Sequence, residues 1–316
     1  MISVVIPLYN KEKSITSTLQ SVYNQTYADY EVVIVNDGST DKSLDAVKNF
    51  VSRLESGERR LRIVSQANAG VSAARNRGIQ EAKGDYVALL DGDDLWEPTY
   101  LEEQVKSIQD FPNAGMWSMN ISIIQSKRRY PLNQGMGDGY RGYVENYFGT
   151  KHNDLFFPSA VVIRKEVFET VGYFDERIRS SEDLDMWYRI ILKYPVVYCD
   201  KVLACYNRDA ENRVAFDTGK RFLLTKDIKY YIIDKHNVEF EKNPIFSHYI
   251  NNLVAVGLLR EGYYFGTKKE RKDSDVVVKK LRYQDIHPKY RWIFKTPRWF
   301  GYMIYRIVCL KKNIMS

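Results

Sequence analysis

The chain has 316 residues, 44% hydrophobic and 28% charged, with a formal net charge of +7. That balance belongs to a soluble globular protein and excludes a disordered chain, a collagen-like fibre and a polytopic membrane protein. The length allows one large domain or two ordinary ones. The positive charge is local: residues 263–316 hold fourteen Lys or Arg against four Asp or Glu, a balance of +10, and everything before them sums to −3. A basic tail of this kind implies an anionic surface, membrane or nucleic acid. With only Cys199, Cys205 and Cys309, no disulfide framework is expected, and the sparse count fits a reducing compartment. Nor is a zinc site expected, because no further Cys or His stands near them at zinc-ligand spacing. The N-terminus lacks a basic leader and its apolar run ends by Tyr9-Asn10-Lys11, so a signal peptide is not expected and the protein reads as cytosolic.

In chain order, Ile2-Ser3-Val4-Val5-Ile6 is a β-branched run closed by Pro7, the pattern of a strand. Ile15, Leu19, Val22 and Tyr23 then share one helical face. A second strand, Glu31-Val32-Val33-Ile34-Val35, ends in the turn Asn36-Asp37-Gly38-Ser39, and the helix after it carries Leu44, Val47, Val51 and Leu54. A third strand over 61–64 leads through Gln66-Ala67-Asn68-Ala69-Gly70 into a helix holding Ala73, Ala74 and Arg75. A fourth, over 86–90, runs into Asp91-Gly92-Asp93-Asp94. Strands alternating with helices predict an α/β fold with a Rossmann-like, mostly parallel central sheet flanked by helices. Ligands of such sheets bind beyond the carboxyl ends of the strands, where Tyr9-Asn10, Asp37-Gly38, Asn68 and Asp91-Gly92-Asp93 converge.

Residues 110–210 are less regular. The stretch 130–149, rich in glycine and aromatics, reads as a loop. Phe157-Pro158-Ser159 precedes a strand over 160–163, and 167–175 looks like a helix and turn. Ser180-Ser181-Glu182-Asp183-Leu184-Asp185 opens a helix through Trp187, Ile190 and Ile191. Beyond Asn212 the strand signals mostly stop. Stretches 217–237 and 244–261 look helical, the latter with Ile245, Tyr249, Leu253 and Val256 as its buried face.

Several residues carry two readings. Three carboxylates within Asp91-Gly92-Asp93-Asp94 repel one another unless a cation or hydrogen-bond donors neutralise them, as in a divalent-metal site completed by substrate phosphates; the same residues also suit a solvated turn. Asp37 fits a turn in which Ser39 or Thr40 caps the next helix, and it fits a carboxylate accepting N–H bonds from a nucleobase. Asn68 and Gly70 shape a loop, while Arg75 could reach a diphosphate. Glu182 and Asp183 at a helix start complement the helix dipole, or one is a general base. No GxxxxGK[ST] loop and no strand-borne GxGxxG occur, and the four histidines are scattered.

Taken together, the segments resemble family 2 glycosyltransferases, inverting enzymes with the GT-A fold that include bacterial surface-polysaccharide enzymes. The likeness lies in Val4-Val5-Ile6-Pro7-Leu8-Tyr9-Asn10, Val35-Asn36-Asp37-Gly38-Ser39-Thr40-Asp41, and Asn68-Ala69-Gly70 with Ala73-Ala74-Arg75-Asn76. It continues in Leu90-Asp91-Gly92-Asp93-Asp94 and Ser181-Glu182-Asp183-Leu184-Asp185-Met186-Trp187, so it covers residues 2–190. The resemblance implies that Pro7, Tyr9 and Glu12 line a donor nucleotide pocket with Asp37 reading the base. It implies further that Asn68, Arg75 and Asp91 lie near ribose and diphosphate, that Asp93, with Asp91, binds Mn²⁺ or Mg²⁺, and that Asp183 is the catalytic base. A UDP-sugar is the expected donor and a glycan or lipid-linked hydroxyl the expected acceptor. The 130–149 loop would serve as a lid. Many relatives carry a His after the last strand of the catalytic domain; 205–209 and 212–213 contain none, leaving Arg208 or Arg213 for that contact.

The expected organisation is a GT-A domain over 1–213, with a nucleotide-sugar half (1–110) and an acceptor half (111–213), followed by a helical region over 214–316. The likeness does not reach the end of the chain. There Trp299, Phe300, Met303, Ile304, Ile307 and Val308 form one helical stripe flanked by Lys295, Arg298, Arg306, Lys311 and Lys312. Too short to span a bilayer, it reads as lying on an anionic membrane at the cytoplasmic face, or packing on its own domain or a dimer partner. Nucleic-acid binding is not expected. The rival classes are a sugar nucleotidyltransferase, which has a Gly-rich loop where this chain has Pro7-Leu8-Tyr9, and a sugar-nucleotide binder without transferase activity.

Overall fold

The β-branched runs of the first hundred residues form one half of a ten-stranded sheet. Its strands are β1 (Ile2–Leu8), β2 (Tyr30–Asp37), β3 (Leu61–Gln66), β4 (Tyr86–Leu89), β5 (Leu95–Trp96), β6 (Met116–Gln125), β7 (Arg128–Pro131), β8 (Arg141–Tyr143), β9 (Val161–Arg164) and β10 (Val196–Asn207). The computed structural model describes residues 1–54, 60–132, 135–149, 155–178, 181–212, 237–261 and 275–291. The chain divides into two compact units, Met1–Asp217 and Thr218–Ser316.

The strand order is β3-β2-β1-β4-β9-β6-β10-β5, with β7 on β6 and β8 on β10. β1, β2, β3 and β4 pair in parallel, and β6 and β10 share their direction. β9, inserted between β4 and β6, runs against both. The sheet is therefore mixed: parallel through the first four strands, with antiparallel β5, β7, β8 and β9 in the second half. Strands covered on both faces bury nearly every side chain, as in β1, where only Pro7 is less than fully buried.

Helices α1 (Ile15–Tyr23), α2 (Ser43–Ser52), α3 (Val71–Glu81), α4 (Tyr100–Asp110), α5 (Lys165–Val171) and α6 (Glu182–Ile191) complete this unit. α1 buries Ile15, Leu19 and Val22, the stripe its sequence predicts. The span 130–149 is not all loop. Its ends carry β7 and β8, because the arginine- and tyrosine-bearing segments complete the ladders of β6 and β10. β8 pairs with Val197, Tyr198 and Cys199, and Asp200 binds it further through Gly139 N–H (3.2 Å) and Tyr140 C=O (2.8 Å). Asp200 lies seven positions before Asn207, the last residue of β10. Residues 139–143 are thus pinned along β10.

In the second unit, α7 (Asn237–Lys242) and α8 (Pro244–Glu261) meet residues 275–291, which end in α9 (Pro288–Arg291). The expected buried face of α8 is overturned. Phe246, Ile250 and Val254 are buried, whereas Ile245 and Leu253 are 49% and 38% exposed. Apolar residues occupy both stripes, so periodicity cannot choose between them. Asn251 does, accepting Arg282 N–H at 2.8 Å while fully buried, and Phe246 packs on Phe240. No helix among the described residues is long and apolar enough to cross a membrane. The stretch 217–236, Arg213 and the apolar stripe from Trp299 to Val308 lie outside the described residues.

α3 lies so close to β1 that a Cβ on Gly78 would collide with Cγ1 of Val5. Val5 is fully buried and β-branched, so its side chain cannot swing aside. Gly78→Ala would gain about 1 kcal/mol of helix propensity but incur overpacking of about 1–3 kcal/mol. Net destabilisation, read as a lower urea midpoint at unchanged m-value, is the expected result.

Candidate active site

The site collects at the carboxyl ends of β1, β2, β3 and β4. Asp37, the last residue of β2, is buried, and both its carboxylate oxygens point at the 66–70 loop. Oδ1 accepts from Gln66 Nε2 (2.8 Å) and Ala69 N–H (2.9 Å), and Oδ2 from Gly70 N–H (2.9 Å). Gly38 (φ +69°) abuts the Asn68 backbone, where a Cβ would approach Asn68 N to 2.8 Å. Asp37 therefore holds Asn68, itself exposed, over the strand ends. Neither Ser39 nor Thr40 caps α2, whose N-terminus has no side-chain cap; the turn before it is held by Asn36 Oδ1, which accepts Ser39 N–H (3.1 Å), and by Asp41, which accepts Ser43 N–H (2.9 Å).

The loop after β1 is stitched to the same region. Asn10 Oδ1 accepts Thr40 N–H (2.8 Å), and exposed Glu12 accepts Lys42 N–H (3.0 Å) while its own N–H donates to Asp41 (3.2 Å). Pro7 is half-buried in β1, and Tyr9 presents 39% of its surface to solvent. Asn212, beyond β10, donates to Tyr9 C=O (3.4 Å), while Glu211 Oε1 accepts from Lys13 N–H (2.9 Å) and Ser14 N–H (3.1 Å) at the start of α1. The end of β10 is thereby strapped across the loop after β1.

The three acids after β4 have three separate fates. Asp91 Oδ1 accepts from Arg75 Nη2 at 2.7 Å. Asp93 Oδ2 receives the Lys11 ammonium at 2.6 Å. Asp94 is buried, accepts Asn207 N–H (2.9 Å) and the Ser159 hydroxyl (2.5 Å), and is held well above the ordinary carboxylate range by burial and by Asp93 and Asp91. Ser159 in turn accepts Asp91 N–H at 3.0 Å, so Asp94 fixes the turn that carries the other two. Lys11 and Ser159 escaped the sequence reading because their partners lie far along the chain, 82 positions away for Lys11 and Asp93.

Arg75 joins this turn to α6. It is buried, with Nη1 on Glu182 and Nη2 on Asp91, each at 2.7 Å, and its guanidinium lies 5.5 Å from the centre of the Phe174 ring. Burial opposes its charge, but Asp91 and Glu182 more than compensate and raise its pKa above the ordinary arginine value. Asn76 holds Phe174 by two bonds, Nδ2 to its C=O (2.9 Å) and Oδ1 from its N–H (2.8 Å). Arg189, paired with fully buried Asp185 at 2.9 Å, binds the carbonyls of Val171, Gly172 and Tyr173. α6 is fixed in place by these contacts. Asp183 in its first turn accepts Leu184 N–H (2.9 Å). Burial and the Glu182 carboxylate, against the pull of Arg75, push its carboxyl up to about 7. Arg208 donates its backbone N–H to Ile124 C=O (2.8 Å) and lays its guanidinium over the Tyr206 ring.

Among the described residues no three His, Cys, Asp or Glu side chains cluster as a self-sufficient metal cage. Asp93 nevertheless already binds a cation, the Lys11 ammonium, and Asp91 stands beside it in the same turn. One or two carboxylates completed by substrate phosphate oxygens are the set that Mg²⁺ or Mn²⁺ takes, so these residues fit such an ion.

Comparison with known proteins identifies the family. The model for glycosyl transferase family 2 matches residues 3–172. The chain is 30% identical over 226 residues to the glycosyltransferase YwdF of Bacillus subtilis, an alignment covering 70% of this chain and 80% of YwdF. It is 30% identical to EpsJ of the same organism, over 58% of this chain and 54% of that longer protein. In structure it resembles S. aureus TarS 1-349 in complex with UDP-GlcNAc, with TM-score 0.74 and 18% identity over 100% of this chain and 92% of that one. It also resembles the mannosyltransferase PcManGT of Pyrobaculum calidifontis in complex with GDP-Man and Mn²⁺, with TM-score 0.56 and 18% identity over 99% and 86%. The chain belongs to glycosyl transferase family 2 and is a glycosyltransferase built on the GT-A fold.

Proposed function

We propose that the protein transfers a sugar, with inversion, from a UDP-sugar to a hydroxyl of a glycan or lipid-linked acceptor in surface polysaccharide synthesis. The observation that carries this reading is the Asp91–Arg75–Glu182 bridge, which sets a base of neutral pKa, Asp183, beside the acids that would face a diphosphate. The UDP and UDP-GlcNAc complexes of TarS support the choice of donor.

Asp37 fixes the 66–70 loop, and that loop with Tyr9 and Pro7 would frame the base and ribose. Asp183, ionised, takes the proton of the acceptor hydroxyl as its oxygen bonds to the anomeric carbon and the carbon–diphosphate bond breaks. One base suffices for inversion. A carboxyl near 7 is well matched to this task at neutral pH. Arg75 holds Glu182 and Asp91 in register so that base and leaving group keep their spacing. A Mg²⁺ or Mn²⁺ held by Asp93 and Asp91 would neutralise the charge that develops on the departing diphosphate. The basic apolar segment over 297–312 would hold the enzyme at the cytoplasmic membrane face.

Calorimetry with UDP, GDP, CDP and TDP, with Mn²⁺ and with chelator, tests the donor. UDP binding that needs Mn²⁺, disappears in Asp93→Asn and survives in Asp183→Asn is expected; failure of every nucleotide to bind folded protein would sink the proposal.

The base has a pH signature. kcat/KM should fall about tenfold per unit below pH ~7 as Asp183 gains a proton, and Asp183→Asn should lower kcat by about 10²–10⁴-fold at pH 8. Stability should move the other way. A carboxyl raised from 3.8 to about 7 by folding disfavours the native state only where it is ionised, so the penalty is absent below pH ~4, grows between ~4 and ~7 and is complete above. Asp183→Asn should therefore raise Tm more at pH 8 than at pH 4, measured by scanning calorimetry.

A further inference from the structure

Lys11 stands between Asn10 and Glu12, and its backbone N–H is fixed to Ser43 Oγ at 2.6 Å. Its ammonium lies 2.6 Å from Asp93 Oδ2, with the two side chains 13% and 11% exposed. The same nitrogen donates to Glu211 C=O (2.8 Å) and Asn212 C=O (3.3 Å), so all three of its N–H bonds are used. Resting on the reading of Asp93 as a metal ligand, we propose that Lys11 occupies the cation position of Asp93 in the donor-free protein and gives it up only when a diphosphate arrives, so that metal and donor bind together.

The argument is electrostatic. A carboxylate oxygen that holds an ammonium at 2.6 Å cannot also coordinate a divalent ion at about 2.1 Å without bringing two cations within a few ångströms of each other. A metal arriving alone must displace the ammonium, leaving it among carbonyls with its carboxylate partner taken. A diphosphate changes the balance, because its negative oxygens supply a new partner for the displaced ammonium. Four methylenes on a fixed backbone allow that swing. The metal site is thus closed to free ions and opened by the substrate's own charge.

Mn²⁺ titrations of the full chain, followed by the paramagnetic resonance of free Mn²⁺ with and without UDP, test this. Wild type should bind Mn²⁺ alone weakly and at least about tenfold more tightly with UDP, tenfold being about 1.4 kcal/mol. Lys11→Met should tighten binding of Mn²⁺ alone about tenfold and shrink the UDP enhancement by the same factor. Lys11→Gln keeps hydrogen-bonding capacity toward the 211–212 carbonyls without the charge, and should behave as Lys11→Met does; melting curves confirm that both variants are folded. Equal Mn²⁺ affinity in wild type and Lys11→Met would overturn the inference and leave UDP and metal binding, and with them the proposed function, standing. Tightening in Lys11→Met but not in Lys11→Gln would also overturn it, since loss of the strap rather than of the charge would then be the cause. Absence of Mn²⁺ binding in wild type even with UDP would remove both readings.

Discussion

Three carboxylates packed into one turn after β4 are the constraint around which this protein is arranged. Left alone they would repel one another, and the fold answers each differently: Arg75 against Asp91, Lys11 against Asp93, and the Ser159 hydroxyl with Asn207 N–H for buried Asp94. Each solution reaches into a different part of the chain. Arg75 comes from α3 and ties in α6, Lys11 from the loop after β1, and Asp94 engages Ser159 before β9 and Asn207 at the end of β10. The charge balance of one turn therefore organises most of the catalytic unit.

The mixed sheet serves the same end. Had the second half continued the parallel pattern, a crossover helix would separate each new strand from the last. Instead β9 returns antiparallel next to β4 and brings Ser159 directly beneath Asp91 N–H. β6 and β10 then run forward again, delivering Asn207, Glu211 and Asn212 to the edge where the loop after β1 waits.

Legibility in the sequence followed local physics. β1 to β4 with α1 to α3 could be read because β-branched runs and helical stripes there are undiluted. β6 could not, since Ser118, Asn120 and Ser122 interrupt it, each buried and each satisfied, by Leu155 C=O, Asp200 and Ala204 C=O. β10 hides behind Asp200-Lys201, where its register on β6 shifts. Site acids stood out because like charges in a short span demand an explanation. Lys11 did not, because an isolated Lys looks the same whether solvated or paired, and Arg75 stood out only as a diphosphate contact, its pairing with Asp91 and Glu182 being made across the fold. The second stripe of α8 was invisible for a related reason: Asn251 chooses the buried face, and nothing local marks that asparagine as buried.

The closeness of α3 to β1 at Gly78 reaches beyond packing. Arg75 leaves the same helix three residues earlier, so the thickness of the contact at Gly78 sets how far its guanidinium extends past the strand ends. The glycine acts as a missing shim under one end of a beam whose other end carries the bridge between Asp91 and Glu182. Adding atoms there would push against Val5 and shift the helix that carries Arg75. The smallest side chain in the unit thereby governs the reach of one of its longest.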